Sequence, residues 1–288
     1  WLSLFSHQEI EFYLFASTPN RRIHPIIQSL IRRDAPTIAE YRVISPSLIP
    51  SLFHWVAKFA FRIDIRPRIL ASRVLKIAPD FVHAMELNHS GKISTQALKK
   101  LTGTRPKVVS TVWGSDIFWF GRFAKHQVYL TEILKGTDLL ISECARDLEL
   151  AKDLAFNGKF AKSESLFGFA DSQIQKERTL ASQRNLILIK GYESFVGRAS
   201  IALRAVEALS EDLKQFEIHV YSTTWKTRKI IRKYNKDAER KIIFYKKNSL
   251  NSAQMLELFE RARVHLGISL SDGVPASMLE SIVTGAFP

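Results

Sequence analysis

Two carboxylates, Asp272 and Glu280, stand with seven residues between them in the stretch SLSDGVPASMLESIVTG (269–285), around Gly273, Pro275 and Ser277. The chemistry open to such a pair is hydroxyl recognition. A ribose or hexose hydroxyl donates to a carboxylate, and charge-assisted hydrogen bonds are roughly twice as strong as neutral ones. Gly273 admits close backbone approach. The first N–H groups of a helix starting near 275–277 can hold a phosphate. The same residues also fit a plainer role, an acidic turn that complements the helix dipole with Glu280 in solvent.

The elements needed to position these acids are legible around them. VHLGISL (264–270) is an apolar run that predicts a strand, and PASMLESIVTG predicts a helix with Pro275 at its first position and Gly285 at its C-cap. A strand–loop–helix corner at the carboxyl end of a strand is where open α/β sheets bind ligands. The same alternation runs through the chain. Strands are expected at 11–17, 41–45, 80–85, 107–113 and 138–142, then at 185–190, 216–222, 241–245 and 264–270, with helical segments between them. Such β/α alternation implies parallel sheets covered by helices on both faces. The polar stretch 168–184 lacks a strand and divides two series. The expected architecture is two doubly wound, Rossmann-like α/β domains, 1–175 and 176–288, facing each other across a cleft.

Composition narrows the classes. A hydrophobic fraction of 46% is globular, and no apolar run approaches the roughly 20 residues of a membrane span. Cys144 is the only cysteine, which excludes an intrachain disulfide framework and fits a reducing, cytoplasmic setting. The net charge of +14 gathers in two places: residues 21–76 hold eleven Lys/Arg against three acids, and residues 225–247 hold ten against two. The part of the first cluster at 51–76 is interleaved with Trp55, Phe59, Phe61 and other apolar residues, a mix suited to an anionic membrane surface. The second reads as a solvated helix face or part of an anion-binding cleft, and either cluster also fits charged solubility alone. The sequence begins at Trp1 and stops just after a helix-ending Gly, where another strand is expected, so it reads as a truncated piece of a longer protein. Phosphate-loop, dinucleotide-fingerprint, zinc-protease, C-x-x-C and nucleophile-elbow motifs are all absent from the sequence.

The pattern S-x-S-D-G-x-P-x-S-x-x-E-S-I-x-x-G-A-x-P, as it stands at 269–288, resembles the acid-x7-acid signature of family-4 retaining glycosyltransferases, which have the two-domain GT-B fold. The resemblance implies transfer of a sugar from a nucleotide-diphosphate sugar to an acceptor hydroxyl with retention, no required metal or other cofactor, and a role in cell-envelope polysaccharide or glycolipid synthesis. It places Asp272 near the donor sugar, Glu280 on the ribose, and Gly273, Val274, Pro275, Ala276 and Ser277 along sugar and diphosphate. Asp stands at the first acid, where Glu is commoner in the family. LILIKGYESFVGRASIALRAVEAL (186–209) resembles the opening of the family's donor domain, so Lys190 and Arg198 become the cations that stabilise the leaving diphosphate; two ordinary surface cations would look the same.

APDFVHAMELNHSG (78–91) and STVWGSDIFWFGRF (110–123) resemble loops of the family's amino-terminal domain. Many relatives carry a His where this chain has Trp113, followed by Gly114, Ser115 and Asp116. Asp116 is the nearest acid able to orient an acceptor, and His83, Glu86 and His89 on the neighbouring loop are further acceptor-side candidates. His83 equally suits a hydrogen-bonded strand-end histidine, and His89 has no second ligand at metal-binding spacing. Ser142 reads as an N-cap and Arg146 as a contact for an anionic acceptor. The expected partners are a nucleotide sugar, an acceptor that a lipid carrier could bear, and an anionic membrane surface at the inner face of the plasma membrane, with no nucleic acid. A catalytically inactive GT-B-like binding subunit and a basic nucleic-acid-binding protein are the alternatives.

Overall fold

The computed structural model describes residues 2–16, 28, 31, 38–44, 64–163 and 177–288. Two units emerge, Trp1–Leu166 and Phe167–Pro288. The domain boundary expected at 175/176 lies outside the described residues, as do 51–63 of the basic aromatic segment.

In the amino-terminal unit, β1 (Glu11–Leu14) and β2 (Glu40–Val43) pair in parallel. A second, all-parallel sheet takes its strands in chain order: β3 (Phe81–Ala84), β4 (Lys107–Thr111), β5 (Leu139–Ser142) and β6 (Lys159–Lys162). The connecting helices are α1 (Arg66–Ile77), α2 (Lys92–Leu98), α3 (Ala124–Lys135) and α4 (Ala145–Asp153). Leu87, Ile117, Leu130, Leu134 and Leu140 are fully buried in one core cluster. Each such side chain contributes about 1.5–3 kcal/mol of burial free energy. Strand β6 has no counterpart among the sequence expectations. Its KFAK run starts and ends on exposed lysines, as suits an edge strand, and it is held by its ladder with β5 from Leu139↔Lys159 to Ser142↔Lys162.

In the carboxy-terminal unit the elements run β7 (Leu186–Lys190), α5 (Ala199–Ala208), β8 (Glu217–Thr223), α6 (Trp225–Asp237), β9 (Ile243–Lys246), α7 (Ser252–Arg261), β10 (Ala262–Leu266) and α8 (Ala276–Thr284). The four strands are parallel in the order β10-β7-β8-β9. Strand β7 is therefore flanked by later strands on both sides, and both its faces are covered. Leu186 and Leu188 pack with Tyr221, Leu258 and Phe259, while Ile187 and Ile189 pack with Ala202, Leu203, Val206 and Val220. That two-sided burial is why the strand reads as an unbroken apolar run. No described helix is long and apolar enough to cross a membrane.

Three local expectations are corrected. Pro275 is the N-cap of α8, with ψ at 128°, and not its first helical residue. The strand expected over 264–270 stops at Leu266, and beyond Gly267 the chain turns to meet another loop: Arg198 N–H donates to the Ile268 carbonyl (3.1 Å) and Leu270 N–H to that of Val196 (3.0 Å). Cys144, not Ser142, occupies the N-cap of α4; Ser142 Oγ instead donates to the buried Asp147 (2.9 Å). The C-cap at Gly285 stands as expected, in the left-handed conformation at φ 76°.

Arg184 ties the unit together at the other end of the sheet. Its guanidinium donates to the carbonyls of Thr179 (2.6 and 2.9 Å), Ala262 (3.1 Å) and Thr284 (3.0 Å), joining the approach to β7, the start of β10 and the end of α8. Arg184→Met should lower unfolding free energy by about 2–4 kcal/mol, because buried carbonyls lose a charged donor; urea denaturation followed by circular dichroism measures it.

Candidate functional site

The strand order of the carboxy-terminal unit reverses at β7. Chain leaving β7 feeds β8 on one side, while β10 lies on the other. A reversal of this kind leaves a crevice outside the carboxyl ends of the two strands, between connections that depart in opposite directions. Lys190 is the last residue of β7, and Asp272 lies on the loop that leaves β10. The two meet there, with Lys190 Nζ 3.8 Å from Asp272 Oδ2 and each side chain about 30% exposed. A pair this long and this open contributes at most about 1 kcal/mol to stability, so little of the fold depends on it. The lysine is free to exchange its carboxylate partner for a ligand anion at small cost.

Glu280 lies on α8, more than a turn beyond its N-cap. Burial pushes its carboxyl pKa up, and the nearby Lys190 charge pulls it partly back. Behind it sits a polar pair that no local sequence pattern singles out. Tyr221 on β8 and His265 on β10 are both buried, and their OH and Nε2 atoms lie 3.1 Å apart. Burial first, and then the Lys190 charge, bring the His265 pKa down to about 4. Burial also raises that of Tyr221. Ser277, in the first turn of α8, is buried with its Oγ close to the Tyr221 hydroxyl but outside hydrogen-bonding geometry. Packing is tight in this corner, since a Cβ at Gly267 would lie 3.1 Å from the His265 ring.

Arg198 holds the N-cap position of α5. Its Nη1 donates to the carbonyls of Ser194 (2.6 Å) and Gly197 (3.1 Å), so part of the guanidinium shapes its own loop. Glu193 reaches over the same helix start, where its Oε2 accepts the Ser200 N–H (2.7 Å). Gly197 makes the loop possible, because a Cβ there would fall 2.2 Å from the Tyr192 carbonyl oxygen. The contacts of 196–198 with 268–270 then bind this loop to the one carrying Asp272. Lys190, Arg198, Asp272, the 273–277 segment and Glu280 thus belong to one connected corner. By contrast, among the described residues no side chain caps the N-terminal N–H groups of α8.

The acceptor-side candidates gather at the carboxyl ends of β3 and β4. Asp116 is buried: one carboxylate oxygen accepts the Trp113 N–H (3.0 Å) and the other the Leu87 N–H (3.1 Å). Burial nonetheless raises its pKa to about 7, against those two bonds. Glu86 caps the π-helical turn Leu87–Gly91 by accepting the N–H groups of His89 (2.7 Å) and Ser90 (2.5 Å). Both acids are therefore engaged in shaping loops. His83 Nε2 lies 2.7 Å from Thr111 Oγ1, and burial lowers its pKa to about 4. Gly114 turns the chain at φ 86°, Ser115 is half-buried, and the Trp113 indole N–H donates to the Met85 carbonyl. His89 and Trp113 are the exposed members of the set. Arg146 pairs with Asp147 (2.9 Å) and stacks on the Phe118 ring at 3.9 Å. Among the described residues no group of three or more His, Cys, Asp and Glu side chains could hold a metal ion.

No protein-family model matches the sequence, and no curated protein matches it. Solved structures do resemble it. A Staphylococcus aureus TarM mutant in complex with Fondaparinux, alpha-GlcNAc-glycerol and UDP has a TM-score of 0.59 at 12% identity, over 76% of this chain and 43% of that one. A trehalose-6-phosphate synthase studied for glycosyltransfer with retention has a TM-score of 0.62 at 12% identity, over 98% and 77%. Anabaena HepE in complex with UDP and glucose has a TM-score of 0.59 at 13% identity, over 97% and 79%. This chain thus spans less than half of the TarM chain. At such identities the likeness is one of fold, and the fold is GT-B, with two Rossmann-like units.

The two perturbed histidines yield a direct test. Unfolded histidine titrates near 6.5 and these two near 4. Between those values the unfolded chain binds more protons, and their contribution to stability falls as pH drops through the window. Asp116 works in the opposite sense from 3.8 to about 7, because its folded form holds the proton longer. In an NMR titration, the imidazole shifts of His83 and His265 should stay at their neutral values down to about pH 5.

Proposed function

We propose that this chain is a glycosyltransferase that takes a sugar from a nucleotide-diphosphate donor and transfers it to an acceptor hydroxyl with retention of configuration. The observation that carries the reading is the meeting of Lys190, Asp272 and Glu280 at the β7–β10 strand reversal, beside the uncapped start of α8. Glu280 accepts the ribose hydroxyls. Its partial burial makes an unpaired carboxylate costly, and two donated hydrogen bonds offset that cost. Asp272 and the Gly273–Val274–Pro275–Ala276–Ser277 segment lie along the donor sugar and the diphosphate, with the first N–H groups of α8 turned to the phosphate oxygens.

When the bond from the anomeric carbon to the diphosphate oxygen breaks, its electron pair leaves with the diphosphate. Lys190 and the part of the Arg198 guanidinium not used by its loop stabilise the charge that develops there. The donor is a co-substrate, and these two cations perform the charge stabilisation without a metal. On the acceptor side, Trp113 and His89 make contact with the incoming sugar. Glu86 and Asp116 set the shape of their loops, and His83 stays neutral on the strand beneath. The basic, aromatic composition of 51–76 is what supports a role at the cytoplasmic face of a membrane, in building a polysaccharide or glycolipid on a lipid-linked acceptor. Within the described part of that segment, Arg68, Arg73 and Lys76 are exposed.

A thermal-shift panel of UDP, GDP and ADP identifies the base. At about 100 times its dissociation constant the right diphosphate should stabilise the protein by ~2.7 kcal/mol, and Glu280→Ala should abolish the shift; absence of any shift in the wild type would remove the donor site. Lys190→Ala should lower kcat by about 100- to 1,000-fold, the usual scale for losing one preorganised charge-stabilising group, as measured by release of the nucleoside diphosphate. Sedimentation with vesicles tests the membrane role, which fails if anionic lipid gives no added binding.

A further inference from the structure

A cavity of about 930 Å³ lies wholly within the amino-terminal unit, between the start of α1 and the outer side of α2. Pro67 and Ile93, both buried, give it apolar surface. Its charge is one-sided, with Arg66, Arg68, Lys92, Lys99 and Lys100 against only Asp64 and Glu132. Both acids are already taken. Asp64 grips the Arg66 guanidinium through two oxygens (2.5 and 2.8 Å), and Glu132 pairs with Lys99 at 2.8 Å. Arg68 and Lys100 have no ion-pair partner among the described residues. Lys92 has none either and lies 5.3 Å from the centre of the Tyr129 ring. Asn88 is oriented by the Tyr129 hydroxyl, which donates to its Oδ1 at 2.8 Å and so leaves its NH2 group for a ligand.

Three uncompensated cations around one concavity of ligand size call for an anion of more than one charge. A carboxylate would satisfy one of them, whereas a phosphate ester or diester offers several oxygens to spaced donors. The adjoining amides of Asn88 and Gln96 suit hydroxyls. We propose that this cavity binds a phosphate-bearing polyol through Arg68, Lys92 and Lys100, and that the polyol phosphate is the acceptor or the anionic part of it. The second half rests on the glycosyltransfer reading, because Asn88 and His89 belong to the acceptor-side loop; phosphate binding by the cavity does not.

The probes are inorganic tripolyphosphate, followed by calorimetry, and phosphatidylcholine vesicles with and without phosphatidylglycerol, followed by sedimentation. Both are applied in a Lys190→Ala background, which removes the cation proposed for the donor diphosphate. The cavity variant is Arg68→Gln/Lys92→Gln/Lys100→Gln, all at exposed positions. The control is Lys226→Gln/Lys229→Gln/Lys236→Gln on α6, which removes the same charge elsewhere. The expected result is tripolyphosphate affinity at least about tenfold weaker in the cavity variant than in the control. Vesicle binding lost in step with it assigns the phosphate to a lipid headgroup, and vesicle binding unaffected assigns it to a soluble ligand. No tripolyphosphate binding at all, or equal weakening in both variants, overturns the proposal. The thermal-shift panel of UDP, GDP and ADP, measured in parallel with Lys190 intact, separates the two readings: tripolyphosphate binding with no shift from any of the three leaves the cavity assigned and the transferase reading refuted.

Discussion

Burial of β7 on both faces is the constraint from which the carboxy-terminal unit takes its form. Leu186, Ile187, Leu188 and Ile189 all lie in core clusters, so the strand must have neighbours on either side and helices above and below. A parallel sheet meets that demand by sending the chain first to β8 and β9 and then back across to β10. The crevice at Lys190 is a by-product of that detour. The residue that follows the apolar run is the first one the core does not claim, and it emerges where two connections part company. Packing thus decides where a charged side chain can be placed, and chemistry decides which one.

The charges that gather there are balanced loosely. Lys190 touches Asp272 at long range, lowers the cost of ionising Glu280 and adds to the burial that keeps His265 neutral. Removing the cation would leave a half-buried carboxylate without its main compensation. The amino-terminal unit is arranged otherwise. Asp116 and Glu86 are committed to backbone N–H groups of their own and neighbouring loops. One corner therefore holds exchangeable charge, and the other holds charge fixed in the fold.

Much of this was legible in the residues. Buried parallel strands write themselves as continuous apolar runs, and LILIK, EIHVYST and KVVST were expected within a residue or two of where they lie. The acid pair was legible because both acids sit on one loop and the helix that follows it. What escaped depends on contacts that no local pattern encodes. β6 is short and lysine-flanked, and only its ladder with β5 makes it a strand. The turn of the chain after Leu266 depends on a loop seventy residues earlier in the sequence. His265 and Tyr221 meet only because β10 and β8 flank the same strand, so their pairing follows from strand order and not from either residue's surroundings in sequence. Asp116 was read as a group facing an acceptor; the two N–H groups that claim its oxygens come from residues 87 and 113, and only the fold brings them to it.

The helices α5 and α8 both begin at the strand reversal, and both present the positive end of a helix dipole. They are unequal. Glu193 folds its own carboxylate back onto α5, while α8 begins at a proline that caps nothing. Of the two helix starts, one is met by a carboxylate of the protein and the other, among the described residues, by none. The asymmetry gives the corner a direction: the positive end of one helix dipole is neutralised by the protein itself, and that of the other is left standing.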